Sequence, residues 1–226
     1  MINIRNLSKS YGSHLVFQNL NMEFEKGNVY GIMGKNGAGK TTLFRCIAGL
    51  ESYEGLIESQ IKPLKNHLGF LMTEPYFFPL MTGEEYIHLM CAARNRKVKD
   101  SGLNNVFDLP LKDYISTYST GMKKKLALTG TLMQGNDCFV LDEPFNGLDI
   151  QSNILLAGII QKLKQLGKTI IVSSHIFSTL SESCDMIYLI HQTDPVRKIK
   201  PAHYSLLEDE IKAELLHNKL NNLDIA

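Results

Sequence analysis

Gly34-Lys35-Asn36-Gly37-Ala38-Gly39-Lys40-Thr41 follows the apolar run Val29-Tyr30-Gly31-Ile32-Met33 and leads into Thr42-Leu43-Phe44-Arg45-Cys46-Ile47-Ala48-Gly49. A strand feeding in, a glycine-rich turn and a helix leading out form the setting in which this spacing binds phosphate. Glycines let the backbone curl until several N–H groups point at one anion, and the helix N-terminus adds partial positive charge. Lys40 is placed to reach the β- and γ-phosphates, and Thr41 offers a hydroxyl to Mg²⁺. The stretch therefore predicts a bound nucleoside triphosphate.

Working outward, residues 2 to 33 read as short strands with turns at Tyr11-Gly12-Ser13 and Lys26-Gly27-Asn28. Strand-like pieces recur at Gly55 to Ile61 and His67 to Leu71. Thr82 and Glu85 have capping-box spacing, and a helical stretch runs from there to about Gly135, broken at Gly102 and Pro110. Strands return at Cys138 to Leu141, Thr169 to Ser173 and Met186 to Ile190. Between them, Ser152 to Leu166 carries Ile154, Leu155, Ile159, Leu163 and Leu166 at helical spacing. The fold class is α/β, with a largely parallel core sheet and a helical block inserted between Leu71 and Gly135.

Composition limits the alternatives. A chain of 226 residues with 44% hydrophobic and 21% charged residues is an ordinary globular protein with one substantial core. A formal net charge of +1 gives no reason to propose a nucleic-acid partner. Cys46, Cys91, Cys138 and Cys184 are far apart, form no metal-type pair, and read as reduced core residues of a cytosolic protein. The first strand begins at Ile2, leaving no room for a signal peptide, and no apolar run is long enough to span a membrane.

A second motif narrows the chemistry. Cys138-Phe139-Val140-Leu141-Asp142-Glu143 is a buried-type strand ending in two carboxylates. Asp142 suits the Mg²⁺ shell and Glu143 can polarise a water, since a metal needs oxygen ligands and the attacking water needs a base near the γ-phosphate.

Between these motifs lies Tyr118-Ser119-Thr120-Gly121-Met122-Lys123-Lys124-Lys125-Leu126, which resembles the signature motif of ATP-binding-cassette (ABC) proteins. Pro144-Phe145-Asn146-Gly147-Leu148-Asp149 is similar to that family's D-loop. Ser174-His175 follows the strand Thr169 to Ser173 as the family's switch histidine does, and Tyr11 matches the aromatic that stacks on adenine. Motif order and separations agree over roughly residues 2 to 195.

The resemblance implies a single ABC ATPase domain over 1–226. Its parts are a core at 1–72 and 136–195, a helical signature subdomain at 73–135 and a C-terminal helical tail at 196–226. The core is a P-loop NTPase fold with a mostly parallel sheet and an N-terminal antiparallel β subdomain. It also implies ATP and Mg²⁺ as cofactors and a head-to-tail pair of ATP-binding subunits, whether identical or paralogous. In each site Tyr11, Gly34 to Thr42, Asp142, Glu143 and His175 come from one subunit, and Ser119 and Gly121 from the other. Glu143 is the implied base, Asp142 and Thr41 serve Mg²⁺, and Lys40 and His175 stabilise charge on the γ-phosphate. The implied function is ATP hydrolysis that drives a transporter whose membrane-spanning permease is a separate polypeptide. The subunit would then be cytoplasmic and peripheral to the inner face of the membrane.

Several details depart from the pattern or add to it. Thr73 falls where the family has a Mg²⁺-touching glutamine, and its shorter hydroxyl reaches a metal through water, while Glu74 is a possible substitute if the loop bends. Thr120 and Met122 replace a glycine and a glutamine of the signature, although Ser119 and Gly121, which carry the hydroxyl and the close backbone approach, are kept. Gly121-Met122 and the single short cassette lean toward exporter-type subunits. Tyr76-Phe77-Phe78-Pro79-Leu80 reads either as packing under the helical block or as a groove wall for a helix of a membrane partner. Lys123 to Lys125 read as a solvated helix face. Leu207, Ile211, Leu215 and Leu220 predict a terminal helix packed on its own domain, the alternative being a regulatory or dimerising role that no motif supports. Two rival functions are an ATP-dependent clamp with little turnover and a soluble ABC protein acting on ribosomes or DNA.

Overall fold

A computed structural model describes residues 1–98, 105–191 and 195–220. The chain opens with β1 (Ile2–Tyr11) and β2 (His14–Phe24), joined by a tight turn at Gly12, whose φ is 58°. These strands are longer than the short pieces the sequence suggests, because pairing continues through irregularities. Asn6 and Asn19 adopt φ of 49° and 53°, and the ladder resumes at Leu7↔Leu20 after Ile4↔Met22. β3 (Val29–Met33) enters the glycine-rich turn and α1 (Lys40–Ile47) leaves it. β4 (Glu54–Ser59) then pairs antiparallel with β1, so the first sheet runs β2-β1-β4.

β5 (Leu68–Leu71) precedes the inserted block, in which α2 (Gly83–Ala92) and α3 (Thr120–Met133) pack together around Ile87, Cys91, Ile115 and Leu126. Thr82 caps α2 with the predicted box, its hydroxyl accepting from the Glu85 N–H while the Glu85 carboxylate accepts from the Thr82 N–H. The block is less helical than its text suggests. From Asn105 to Ser119 only Ile115–Thr117 forms a short 3₁₀ turn. The cause is local, since the Asn105 side chain bonds both the N–H and the carbonyl of Leu109, and Asp108 takes φ 51°. The break predicted at Gly102 lies outside the described residues.

β6 (Cys138–Leu141), α4 (Ile150–Gln165), β7 (Thr169–Ser173), α5 (Phe177–Ser181), β8 (Met186–Leu189), β9 (Arg197–Ile199) and α6 (Tyr204–Leu220) complete the chain. The second sheet has the order β5-β6-β7-β3-β8-β9; the first five strands are parallel and β9 is antiparallel. β6 and β7 are buried at every position. Parallel strands covered on both faces are written as continuous apolar runs, which is why the sequence reveals them. The class is α/β, as the motifs predict. One core joins the antiparallel sheet and α1 to one face of the parallel sheet, around Phe17, Phe24, Ile32 and Phe44. The other lies beneath α4, α5 and α6, around Leu156, Ile160, Leu180 and Leu207.

α4 corrects one sequence reading. Its buried stripe is Ser152, Leu156 and Ile160, whereas Ile154 is 70% exposed. Apolar residues occupy two adjacent stripes of this helix, and the core takes the one carrying Leu156 and Ile160. Asp149 starts the helix as N-cap, accepting from the Ser152 N–H at 2.8 Å. In the tail, Leu207 is buried, Ile211 packs against the same core, and the Tyr204 hydroxyl donates to the Cys184 carbonyl. The side chains of Leu215 and Leu220 lie outside the described set. All four cysteines are free and buried, and burial pushes the Cys46 thiol up to about 11, away from reactive thiolate.

Candidate active site

The carboxyl ends of β3, β6 and β7 meet at one edge of the parallel sheet, the usual location for ligands in such folds. There the turn after β3 is wound by left-handed glycines. Gly37 has φ 83°, and Gly39, at φ 92°, begins α1. A Cβ on Gly39 would lie 2.8 Å from Val16 Cγ1 and 2.9 Å from Phe17 Cδ1, so both conformation and space demand glycine. α1 has no side-chain cap and no acidic residue in its first turn, which leaves its positive end to an external anion. Lys40 folds back over the turn, its ammonium donating to the Gly34 carbonyl at 2.8 Å and to that of Lys35 at 3.4 Å.

Asp142 is fully buried beneath this turn and acts as a triple acceptor. Its Oδ2 accepts from Thr41 Oγ1 at 2.6 Å and from Thr73 Oγ1 at 2.7 Å, and its Oδ1 accepts from Ser173 Oγ at 2.7 Å. Glu143 follows in a left-handed conformation, φ 47°, unusual for a side chain with a Cβ. Its N–H donates to Ser173 Oγ at 2.8 Å. Its carboxylate lies 3.6 Å from the Lys40 ammonium and 3.2 Å from His175 Nδ1, and accepts from Asn146 Nδ2 at 3.2 Å.

These groups border a cleft of about 560 Å³. Of the residues named from sequence, Tyr11, Asn36 to Thr42, Thr73, Glu143 and His175 line it. Gly34 and Lys35 hold the Lys40 ammonium, and Asp142 sits one layer below. Tyr11 is 45% exposed, with the Lys9 ammonium 4.6 Å from its ring centroid. Tyr11 and Lys9 hydrogen-bond Glu51 and hold that carboxyl below its ordinary range. Ser119 and Gly121 are not brought to this cleft. Exposed Ser119 caps α3, accepting from the Met122 N–H at 3.2 Å, and Gly121 is half-buried beside the Gly147 carbonyl.

The Thr73 hydroxyl bonds Asp142 directly, and Glu74, exposed beyond it, does not line the cleft. In the Tyr76–Leu80 cluster, Phe77 packs inward against Tyr86 at 4.9 Å between ring centroids. Tyr76 and Phe78 instead border a groove of about 230 Å³ with Leu89 and Met90.

The lysine run is corrected. Lys124 is buried, donating from Nζ to the Glu143 carbonyl at 2.5 Å and to the Asn146 carbonyl at 2.9 Å. Burial lowers its pKa, and the neighbouring Glu143 and Asp142 carboxylates oppose that shift. Lys125 pairs with Asp149 at 2.7 Å. Sequence reasoning also passed over His14, Val16, Asn146 and Ser173. Asn146 stood within the quoted D-loop text and was legible as a candidate. Val16 and Ser173 carry no local signal, because a valine and a serine in strands are ordinary residues.

The family model for ABC transporters matches residues 17–146. The lantibiotic transport ATP-binding protein SrtF of Streptococcus pyogenes is 33% identical over 85% of this chain and 87% of its own length. The ABC transporter ATP-binding protein NatA of Bacillus subtilis is 32% identical over 88% and 86%, respectively. The bacitracin transport ATP-binding protein BcrA of Enterococcus faecalis is 27% identical over 100% and 81%. Among solved structures, an ATP-binding subunit of an ABC transporter superposes with a TM-score of 0.84 at 23% identity, covering 95% of this chain and 99% of its own. The ATP-binding cassette MJ0796, in a dimeric post-hydrolysis state bound to ADP and Pi, gives 0.80 at 20% identity over 89% and 99%. The cleft and these likenesses agree: the chain belongs to the ABC transporter family and is an ATP-binding ATPase subunit of it.

Proposed function

We propose that this subunit powers an exporter whose membrane-spanning part is a separate polypeptide, and that two ATP-binding subunits close head to tail around two ATP molecules. The observation that carries ATP hydrolysis as the power source is the convergence on one cleft of the Lys40 turn, the Thr41–Asp142 pair and the Glu143–His175 pair. Phosphates would settle at the start of α1, where Lys40 exchanges the Gly34 carbonyl for phosphate oxygens. Glu143 orients water for attack and His175 contacts the γ-phosphate. Tyr11 stacks on adenine. The oxygen donors Thr41 and Asp142 suit Mg²⁺, with Thr73 acting behind Asp142, and the ion when bound would neutralise charge on the β- and γ-phosphates. Ser119 and Gly121, which lie outside their own cleft, would complete the partner's.

The groove beside Tyr76 and Phe78 supports docking of a permease helix, with residues 73–135 as the helical unit that receives it. No helix among the described residues is long and apolar enough to cross a membrane. The relatives named for bacitracin and lantibiotic transport support a peptide antibiotic as cargo. Glu143→Gln is expected to bind ATP, lose turnover and remain as an ATP-dependent dimer in size-exclusion chromatography. Hydrolysis at the wild-type rate in this variant would overturn the assignment of the base. The Thr73–Asp142 bond favours one rival, a slow ATP-dependent clamp, and a single-turnover ATPase assay on the wild type separates the two.

A further inference from the structure

Both backbone polar atoms of Glu143 are held by side chains from distant segments. Its N–H is taken by Ser173 at the end of β7, and its carbonyl by Lys124 from α3. The same ammonium donates to the Asn146 carbonyl, and the Asn146 N–H returns to the Glu143 carbonyl at 3.3 Å. Lys124 therefore closes the four-residue turn Glu143-Pro144-Phe145-Asn146 from inside the protein. This turn holds Glu143 at φ 47°, a conformation that residues with a Cβ adopt only when their surroundings impose it.

We propose that Lys124 is a positioning residue for ATP hydrolysis, a clamp that fixes the left-handed backbone of Glu143 and so aims its carboxylate into the cleft. The proposal rests on the reading of Glu143 as the base. An ammonium suits the task because two carbonyls converge on one point, and a lysine offers three donors with no acceptor. An apolar side chain there leaves two carbonyls without that donor. The turn then relaxes toward negative φ, and rotation about the Glu143 backbone swings the carboxylate away from Lys40 and His175. Displacements on the order of 1 Å can cost roughly 100-fold in rate.

The test compares Lys124→Met, Glu143→Ala and the double variant, with ATPase kinetics, binding of a fluorescent ATP analogue and thermal unfolding measured on each. Lys124→Met is expected to lower kcat by up to about 100-fold while KM and analogue affinity stay within about twofold. In the Glu143→Ala background the same change should leave the residual rate unaltered, because Lys124 acts through Glu143. A kcat for Lys124→Met within about twofold of wild type overturns the clamp, as does a further loss of rate in the double variant. Full activity of Glu143→Ala would instead remove the base assignment, a failure distinct from that of the clamp. Should Lys124→Met not yield folded protein, Lys124→Gln, whose amide keeps a donor on a shorter arm, is expected to retain ATP affinity with reduced kcat. Wild-type kcat in Lys124→Gln would overturn the clamp equally.

Discussion

Thr73 stands where the wider family has glutamine, and its contact with Asp142 makes a quantitative test possible. Its hydroxyl donates to Asp142 Oδ2 at 2.7 Å, sharing that oxygen with Thr41. Hydrogen bonds to a charged partner contribute about 1.5–3 kcal/mol when shielded from water. Thr73 is exposed, so water can replace it in part, and Thr73→Val should cost only about 1 kcal/mol. For a chain of this length that is a fall of roughly 2–4 °C in unfolding midpoint, read by circular dichroism without nucleotide. Loss of a group that orients a metal-binding carboxylate typically weakens metal affinity about 10- to 100-fold. The Mg²⁺ concentration for half-maximal ATPase activity should therefore rise by at least about tenfold. An unchanged midpoint together with an unchanged Mg²⁺ requirement would refute the claim that Thr73 acts through Asp142. Thr73→Gln should leave turnover nearly unchanged, and a large gain would show that threonine handicaps this subunit.

Three other outcomes are expected. Gly39→Ala combines a left-handed φ with close contacts to Val16 and Phe17, so it should destabilise the fold by about 2–4 kcal/mol in urea unfolding and abolish ATP binding; a stable, ATP-binding variant would contradict the packing described for this turn. Tyr11→Ala should weaken binding of a fluorescent ATP analogue about tenfold with little change in kcat, since aromatic stacking on a base is worth about 1–3 kcal/mol, and unaltered affinity would place adenine elsewhere. Lys125 and Ser152 hold the Asp149 carboxyl far below its ordinary value of 3.8. A depressed folded-state pKa means that this stabilisation is complete above pH 3.8 and is lost as pH falls through the lower folded value. The difference in unfolding midpoint between wild type and Asp149→Asn should thus be constant near neutrality and shrink in strong acid, and a difference growing on acidification would reverse the sign.

The sequence by itself determined the parallel sheet and the inner half of the site. β3, β6 and β7 are buried on both faces, so their text is apolar without alternation, and the left-handed φ of Gly37 and Gly39 is a local demand that glycine spacing announces. Such features depend on neighbours in the chain, and a linear reading recovers them. The tertiary structure decided what depends on distant partners. Lys124 sits among three lysines that look alike in the chain, yet it alone of the three is buried, because α3 packs against the turn after β6 and turns that ammonium toward two carbonyls. α4 offered two apolar stripes, and packing into the core buried the one carrying Leu156 and Ile160. Ser173, unremarkable in β7, binds both Asp142 and Glu143 because parallel pairing sets the ends of β6 and β7 side by side. Local geometry wrote the phosphate loop into the chain, and the packing of remote segments determined which side chains hold its catalytic partner in place.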